Sequence, residues 1–401
     1  MSLLPVAEAL ARVTEGIQSL DEESIALGIS YGRVLARDIK ARVTHPPFDS
    51  SAMDGYAARA ADLASLPQTL TVIGEAGAGH AYGGDVGAGE ALRIFTGAPV
   101  PAGADTIVIQ ENTERDADRV TVLEGGEKGD YIRPSGMDFR KGQALLPAGR
   151  RMSARDVALA VSMNNVEAWV RRKPRVAIIS TGDELVPPGA TPKPDQIISS
   201  NSYGIAAMVE GAGGEAALTG IARDTLASLG EMIERARDAD ILVTIGGASV
   251  GEHDLVRQAL EAHGMALDFW KIAMRPGKPL MFGQMAGQRV LGVPGNSVSA
   301  LLCARLFLVP MIRRLLGQSD AAAAALTGEL ACGLEANGPR EHYMRATWER
   351  REGALPLVTP VADQDSSLLS LLAKADCLII RAPRAPEAVK GERVALMALD
   401  F

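Results

Sequence analysis

A chain of 401 residues exceeds what one hydrophobic core organises, so about two to four domains are expected. Apolar residues make up 47% and charged residues 22%, which excludes a disordered protein, while an aromatic content of 4% leaves the cores to Ala, Val, Leu and Ile. A net charge of −8 argues against nucleic acid as the main partner, since that affinity rests on cationic contacts to phosphate; an anion must be held by local donors or a bound cation.

The stretch from Met1 to Ala11 carries Glu8 and no basic n-region, so it does not read as a signal peptide. Val6, Leu10, Val13 and Ile17 recur at helical spacing and predict helix from residue 5 to about 37. From Val43 the chain turns to prolines, glycines and short β-type segments such as Leu70–Ile73 and Thr106–Ile109, a compact β-rich module over 44–138. Helical pattern resumes at Ser153–Met163 with Ser153 as N-cap. The β module therefore reads as an insertion into a discontinuous helical domain made of 1–43 and 139–173.

Residues 174–317 alternate short apolar runs (Val176–Ile179, Ile241–Ile245, Val290–Val293) with helical stretches at Tyr203–Glu210, Leu226–Ala236, Val256–His263 and Ser297–Leu316. Runs apolar on every residue are expected of strands buried on both faces, and the alternation predicts a multidomain α/β protein with a doubly wound parallel sheet. An Ala run at 321–325 reads as a linker. Within 318–401, Tyr343–Glu349, Cys377–Ile380 and Val394–Leu399 read as strands of a C-terminal β domain. The longest apolar run, Val298–Met311, is broken by Arg305 and Pro310, so no transmembrane helix is predicted. Cys303, Cys332 and Cys377 form no CxxC pair; a disulfide scaffold or thiolate zinc site is not expected, and a reducing cytoplasmic compartment is.

Three polar loops follow the three predicted strands: Ser180-Thr181-Gly182-Asp183-Glu184, then Gly246-Gly247-Ala248-Ser249-Val250-Gly251-Glu252-His253-Asp254, then Pro294-Gly295-Asn296-Ser297. In an open α/β sheet ligands bind at the carboxyl ends of strands, so topology alone brings these loops to one site. Gly246, Gly247 and Gly251 let backbone N–H groups approach an oxyanion, and Ser297 opens a helix whose first N–H groups are unsatisfied. Lys278 adds a mobile cation and Arg275 a planar donor fork. Asp183, Glu184 and Asp254 would share the crevice with that anion. Like charges ~4 Å apart at an effective dielectric of ~20 repel by about 4 kcal/mol, so the set implies a bridging cation, for which Mg²⁺ fits best.

Three further segments lie outside the sheet loops: Pro47-Phe48-Asp49-Ser50-Ser51-Ala52-Met53-Asp54-Gly55-Tyr56-Ala57, Arg93-Ile94-Phe95-Thr96-Gly97-Ala98-Pro99-Val100-Pro101 with Gly103-Ala104-Asp105, and Ile132-Arg133-Pro134-Ser135-Gly136-Met137-Asp138. Together with the loops, in the same order, they resemble the molybdopterin molybdenumtransferase family, the bacterial MoeA proteins and the matching domain of gephyrin. The resemblance implies a four-part architecture and a homodimer whose cleft lies between the α/β domain of one subunit and the inserted domain of the other. It implies a reaction that takes adenylylated molybdopterin and molybdate to molybdenum cofactor and AMP with Mg²⁺. Carried over residue by residue, it puts Asp54, Thr96 and Asp138 across the dimer with Arg133 supporting that wall. Glu184, Asp224 and Asp254 fall to metal binding and adenylyl hydrolysis, and Lys278 to the molybdate and phosphate end. Pro294 and Ser299 match the third loop and its helix start, and Arg345 and Ser366 match molybdate contacts. Arg275 stands where Lys is expected, and Ser297 where the family usually has Pro.

Plainer readings stand beside these. Asp54 and Asp138, next to glycines, could cap turns; Asp224 could cap a helix; Arg345, in an alternating strand, could be a solvated face residue. As alternatives to the transferase, a molybdopterin adenylyltransferase would consume ATP, and a non-catalytic carrier or scaffold would bind without turnover. Tungstate is nearly isosteric with molybdate and is left open.

Overall fold

The computed structural model describes residues 3–247, 255–318 and 326–401. Its centre is a six-stranded sheet built from β1 (Arg175–Thr181), β2 (Glu215–Ala222), β3 (Ile241–Ile245), β4 (Ala266–Phe269), β5 (Met281–Met285) and β6 (Gln288–Val293), in the order β2-β1-β3-β6-β5-β4. The first four in that order are parallel. The last two are antiparallel, which corrects the expectation of a wholly parallel sheet. The cause is local: Ala286 and Gly287, both at positive φ (48° and 87°), close a two-residue hairpin between β5 and β6. Every residue of β3 is buried, Thr244 included, as expected of a largely apolar strand covered on both faces.

Helices α1 (Asn201–Ala212), α2 (Leu226–Arg235), α3 (Leu255–Ala262) and α4 (Ser297–Cys303) lie in two separate apolar cores on opposite faces of the sheet. Ile178, Ile205, Ile245 and Val298 belong to one core; Ile179, Leu229, Ile233 and Val256 belong to the other. The long helix expected after residue 297 opens into a π turn at Ala304–Leu308 before resuming at Val309–Leu315. Pro310 lies just past this turn and has no N–H to return to Leu306, which breaks the regular ladder.

The N-terminal helix spans Val6–Thr14 rather than 5–37: Glu15 turns extended and Gly16 takes φ 66°, ending it. Val6, Ala9 and Val13 pack into the α/β core, and Arg289 donates to the carbonyls of Val13 (3.0 Å) and Glu15 (2.6 Å). Residues 22–26 instead form a strand on 167–171, and 39–40 pairs with 144–146. Leu27, Leu35, Phe139, Met152 and Ala160 share one core, so two distant segments do make one unit, part strand and part helix. Its helix, Ala154–Ser162, starts at a capping box in which Ser153 and Asp156 satisfy each other's backbone N–H.

Between those segments the inserted module is a six-stranded sheet, ordered 106–109, 55–58, 90–94, 68–76, 119–122, 113–116. The C-terminal strands 341–349, 357–360, 326–330, 393–398 and 377–381 close on themselves through the pairing of 377–381 with 341–349, a small barrel. Met274–Arg275 adds to its edge and ties it to the α/β domain. No helix among the described residues is long and apolar enough to cross a membrane.

Candidate functional site

The carboxyl ends of β1, β3 and β6 open into a cavity of about 760 Å³. Ser180, Thr181, Gly182 and Glu184 come from the first loop, Gly246 and Gly247 from the second, and Pro294, Gly295, Asn296 and Ser297 from the third; Asp224 joins from beyond β2. The loops are knitted by short hydrogen bonds: Thr181 Oγ1 donates to the Ile245 carbonyl (3.2 Å), and Gly246 N–H to that of Val293 (3.1 Å). A Cβ on Gly182, whose φ is 144°, would lie 2.4 Å from the Glu184 carboxylate, which folds back over that glycine. Gly247 (φ 66°) likewise leaves no room, since a Cβ there would meet Val256 at 2.2 Å.

Ser249, Gly251 and Asp254 lie outside the described residues. Asp183 is exposed and does not line the cavity. It sits against Asp224 instead: each aspartate's backbone N–H donates to the other's carboxylate at 3.4 Å, and Arg223 lies 3.9 Å from Asp183. Asp224 is not the helix cap, because Thr225 takes that position and accepts from Ser228 N–H. Among the described residues no group of three or more His, Cys, Asp or Glu could hold a metal by itself. Glu184 and Asp224, hard oxygen donors that both line the cavity, are the residues there whose chemistry suits a divalent cation shared with a substrate phosphate.

The barrel closes one side. Asn296 Nδ2 donates to Ser366 Oγ (2.8 Å), and Val298 N–H to the Ser366 carbonyl (3.0 Å), so Ser366 adjoins the third loop. Ser299, one residue on, is buried in α4. Pro279 lines the cavity beside the half-buried Lys278, while Arg275 is exposed on the strand that joins the barrel.

Arg345 is a correction. It is neither a solvated residue nor an open oxyanion contact: it is 1% exposed, and its guanidinium donates to the carbonyls of Leu368 (3.0 Å), Asp365 (2.9 Å) and Asp363 (3.1 Å). The loop that carries Ser366 folds over the strand and wraps this side chain. Next to it His342 is buried; desolvation, then the charges of Arg275, Arg340, Arg345 and Arg381, push its pKa down to about 4.

In the inserted module Asp54 and Thr96 meet across 42 residues: Thr96 N–H (2.8 Å) and Oγ1 (2.7 Å) both donate to Asp54 Oδ1. These two bonds, with the field of Arg93, hold the Asp54 carboxyl below the usual range. Arg133 pairs opposite Ser50, and Asp138 N–H donates to the His45 carbonyl (3.2 Å); both are exposed. None of these four lines the cavity of its own chain.

Sequence reasoning misses Asn201, which lines the cavity and donates through Nδ2 to the Gly295 carbonyl at 2.7 Å. Ser199-Ser200-Asn201 ahead of an apolar helical stretch is the kind of polar helix start that could have flagged it.

The fold is a doubly wound domain with a polar crevice at its carboxyl edge, adjoined by a barrel and preceded by a discontinuous unit with a β insertion, and this four-part architecture is that of a known class of molybdopterin-binding proteins. The chain matches the MoeA N-terminal region (domains I and II) over 4–164, a probable molybdopterin binding domain over 177–314, and the MoeA C-terminal region (domain IV) over 327–399. It is 35% identical to molybdopterin molybdenumtransferase 2 of Mycobacterium tuberculosis, over 92% of each chain. With the molybdopterin molybdenumtransferase of a Nostoc species it shares 39% identity over 74% of this chain and 70% of that one. A molybdopterin biosynthesis MoeA protein from Pyrococcus horikoshii superposes with a TM-score of 0.83 at 31% identity over the full length of both. The chain belongs to the molybdopterin molybdenumtransferase family.

Proposed function

We propose that this protein is a molybdopterin molybdenumtransferase of molybdenum cofactor biosynthesis, inserting molybdenum from molybdate into adenylylated molybdopterin and releasing AMP. The observation that carries the reading is the cavity itself: the backbone of Gly247 and the polar start of α4 at Asn296 and Ser297 line the same space as Glu184 and Asp224. Phosphates suit the first set, and carboxylates suit them only with a cation between. Mg²⁺, when bound by Glu184 and Asp224 together with the substrate, would neutralise the charge of the phosphoanhydride. Asn201 holds the third loop in place, and Ser366 fixes Asn296 at the barrel side, where Lys278 and Arg275 supply the cations for molybdate. The dithiolene sulfurs arrive with the substrate, so the reaction requires no thiolate cluster from the protein.

A homodimer completes the site on this reading, with Asp54, Thr96, Arg133 and Asp138 of one subunit facing the cleft of the other. Support comes from their absence from the cavity lining of their own chain and from the exposed apolar Ile29, Tyr31, Val161 and Val166 on the discontinuous unit. A cytoplasmic setting follows from the same reading.

The test is to incubate purified protein with adenylylated molybdopterin, Mg²⁺ and molybdate and to measure AMP; no AMP refutes the enzymatic reading. Mixing refolded Asp54→Asn and Glu184→Gln chains tests the shared cleft: roughly a quarter of wild-type activity returns if sites form between subunits, and none if they form within one chain.

A further inference from the structure

Asp54 and Thr96 both sit on loops beyond strand ends of the inserted sheet, half-buried or exposed, where side chains of this kind would sample many arrangements. Contacts from both loops converge instead on one guanidinium, that of Arg93. It donates to the carbonyl of Gly55, the residue after Asp54, at 3.3 Å. Its other arm donates to Gln110 Oε1 at 2.7 Å, and the Gln110 N–H in turn donates to the Asp54 carbonyl at 3.1 Å. Its face lies 4.8 Å from the ring centre of Phe95, the residue before Thr96, and 5.1 Å from that of Tyr56.

We propose that Arg93 is a positioning residue for the transferase reaction, a clamp that fixes the Asp54 and Thr96 loops against each other without touching substrate. This rests on the reading that Asp54 and Thr96 complete the cleft. Gly55 adjoins Asp54, Gln110 is bonded to the Asp54 carbonyl and Phe95 adjoins Thr96, so removing the guanidinium loosens both sides at once. A planar donor fork is required, since Lys can reach one acceptor but cannot bridge two while lying flat between rings. The positive charge has a second effect, because it favours the ionised Asp54 that accepts from Thr96.

The test compares Arg93→Met, Arg93→Lys and Asp54→Asn. Hydrogen exchange at the Thr96 amide, whose N–H is bonded to Asp54, reports the clamp without needing activity. Exchange in Arg93→Met is expected to accelerate roughly tenfold or more while the strands of the inserted sheet keep their protection. Turnover for AMP release should fall roughly ten- to hundredfold with KM within about twofold, Arg93→Lys lying between, as for a misplaced group rather than a lost substrate contact. Should Arg93→Met unfold the module, Gln110→Ala removes one arm only and is expected to give the same changes at smaller size. Unchanged Thr96 exchange in these variants overturns the clamp and leaves the Asp54 reading standing. A rise in KM with unchanged turnover also overturns it, making Arg93 a binding contact. Wild-type turnover in Asp54→Asn removes the reading beneath it, whatever the exchange data show.

Discussion

Replacing Arg345 by Met keeps the aliphatic stem and deletes a charged head that is wrapped by the chain. Its guanidinium makes three bonds to carbonyls of the 363–368 loop, and the backbone N–H of Arg345 is itself accepted by Gln364 Oε1 at 3.0 Å. A hydrogen bond to a charged group contributes on the order of 1.5–3 kcal/mol, so three would give at least ~4.5 kcal/mol. Asp363 and Asp365 are exposed, and their carbonyls can regain water once the loop loosens, which lowers the expected loss to about 3 kcal/mol. A urea titration read by the tryptophan fluorescence of the barrel, which contains Trp348, measures it, with the slope unchanged. Because Ser366 rides on the same loop and holds Asn296, molybdate dependence should worsen alongside stability. Arg345→Met with wild-type stability and only a weakened response to molybdate would refute the structural role and return Arg345 to direct oxyanion binding.

Gly182→Ala forces a methyl to within 2.4 Å of the Glu184 carboxylate at a φ of 144°; AMP release should drop roughly a hundredfold while thermal unfolding of the rest of the chain is little changed, and equal activity would refute the tight fold-back of Glu184. His342 is held near pKa 4 against an ordinary 6.5, so the folded state resists a proton that the unfolded chain accepts. Its contribution is fully present above pH 6.5 and is lost as pH falls towards 4; His342→Gln should flatten the stability profile across that window, measured by urea midpoints at each pH. Burial raises the thiol pKa of both Cys303 and Cys377, whereas Cys332 is exposed. A thiol reagent should therefore label one cysteine in the native protein and all three only after unfolding; rapid labelling of Cys303 or Cys377 would contradict the packing.

Strands of uniform chemistry are the most legible part of the sequence. Ile241–Ile245 is apolar apart from Thr244 and buried on both faces, and its limits follow from that β-branched run. Glu215–Ala222 and Ala266–Phe269 are not legible in this way, because neither has a β-branched run; each is an edge strand defined by its neighbour. The helix expected to reach residue 37 stops short at Gly16, where a single left-handed glycine outweighs the spacing of Val13 and Ile17. The rule that ligands gather at the carboxyl ends of parallel strands is enough to bring Gly182, Glu184, Gly246, Gly247 and Gly295 to one crevice, and the cavity contains all five. Long-range pairs such as Asp54 with Thr96 leave no periodic trace and come only from the family resemblance. Arg345 misleads because strand alternation describes which face a residue takes, not whether a later loop will cover that face.

The distribution of charge along the cleft carries the mechanistic argument one step further. An acidic chain that binds two different anions must keep them from competing for one set of cations. Among the described residues, those lining the cavity at the sheet edge include no Lys, Arg or His: the backbone of Gly247 and the start of α4 share it with Glu184 and Asp224. The full cations Lys278 and Arg275 are not among the lining residues: Lys278 is half-buried beside Pro279, which does line the cavity, and Arg275 is exposed on the strand that joins the barrel. On the proposed reading this separation assigns each anion an end: the phosphoanhydride to neutral donors and acidic side chains, molybdate to the basic side. Arg275→Gln should then weaken the response to molybdate several-fold while leaving binding of adenylylated molybdopterin close to wild type. An equal loss in both would show that the two ends are one electrostatic field.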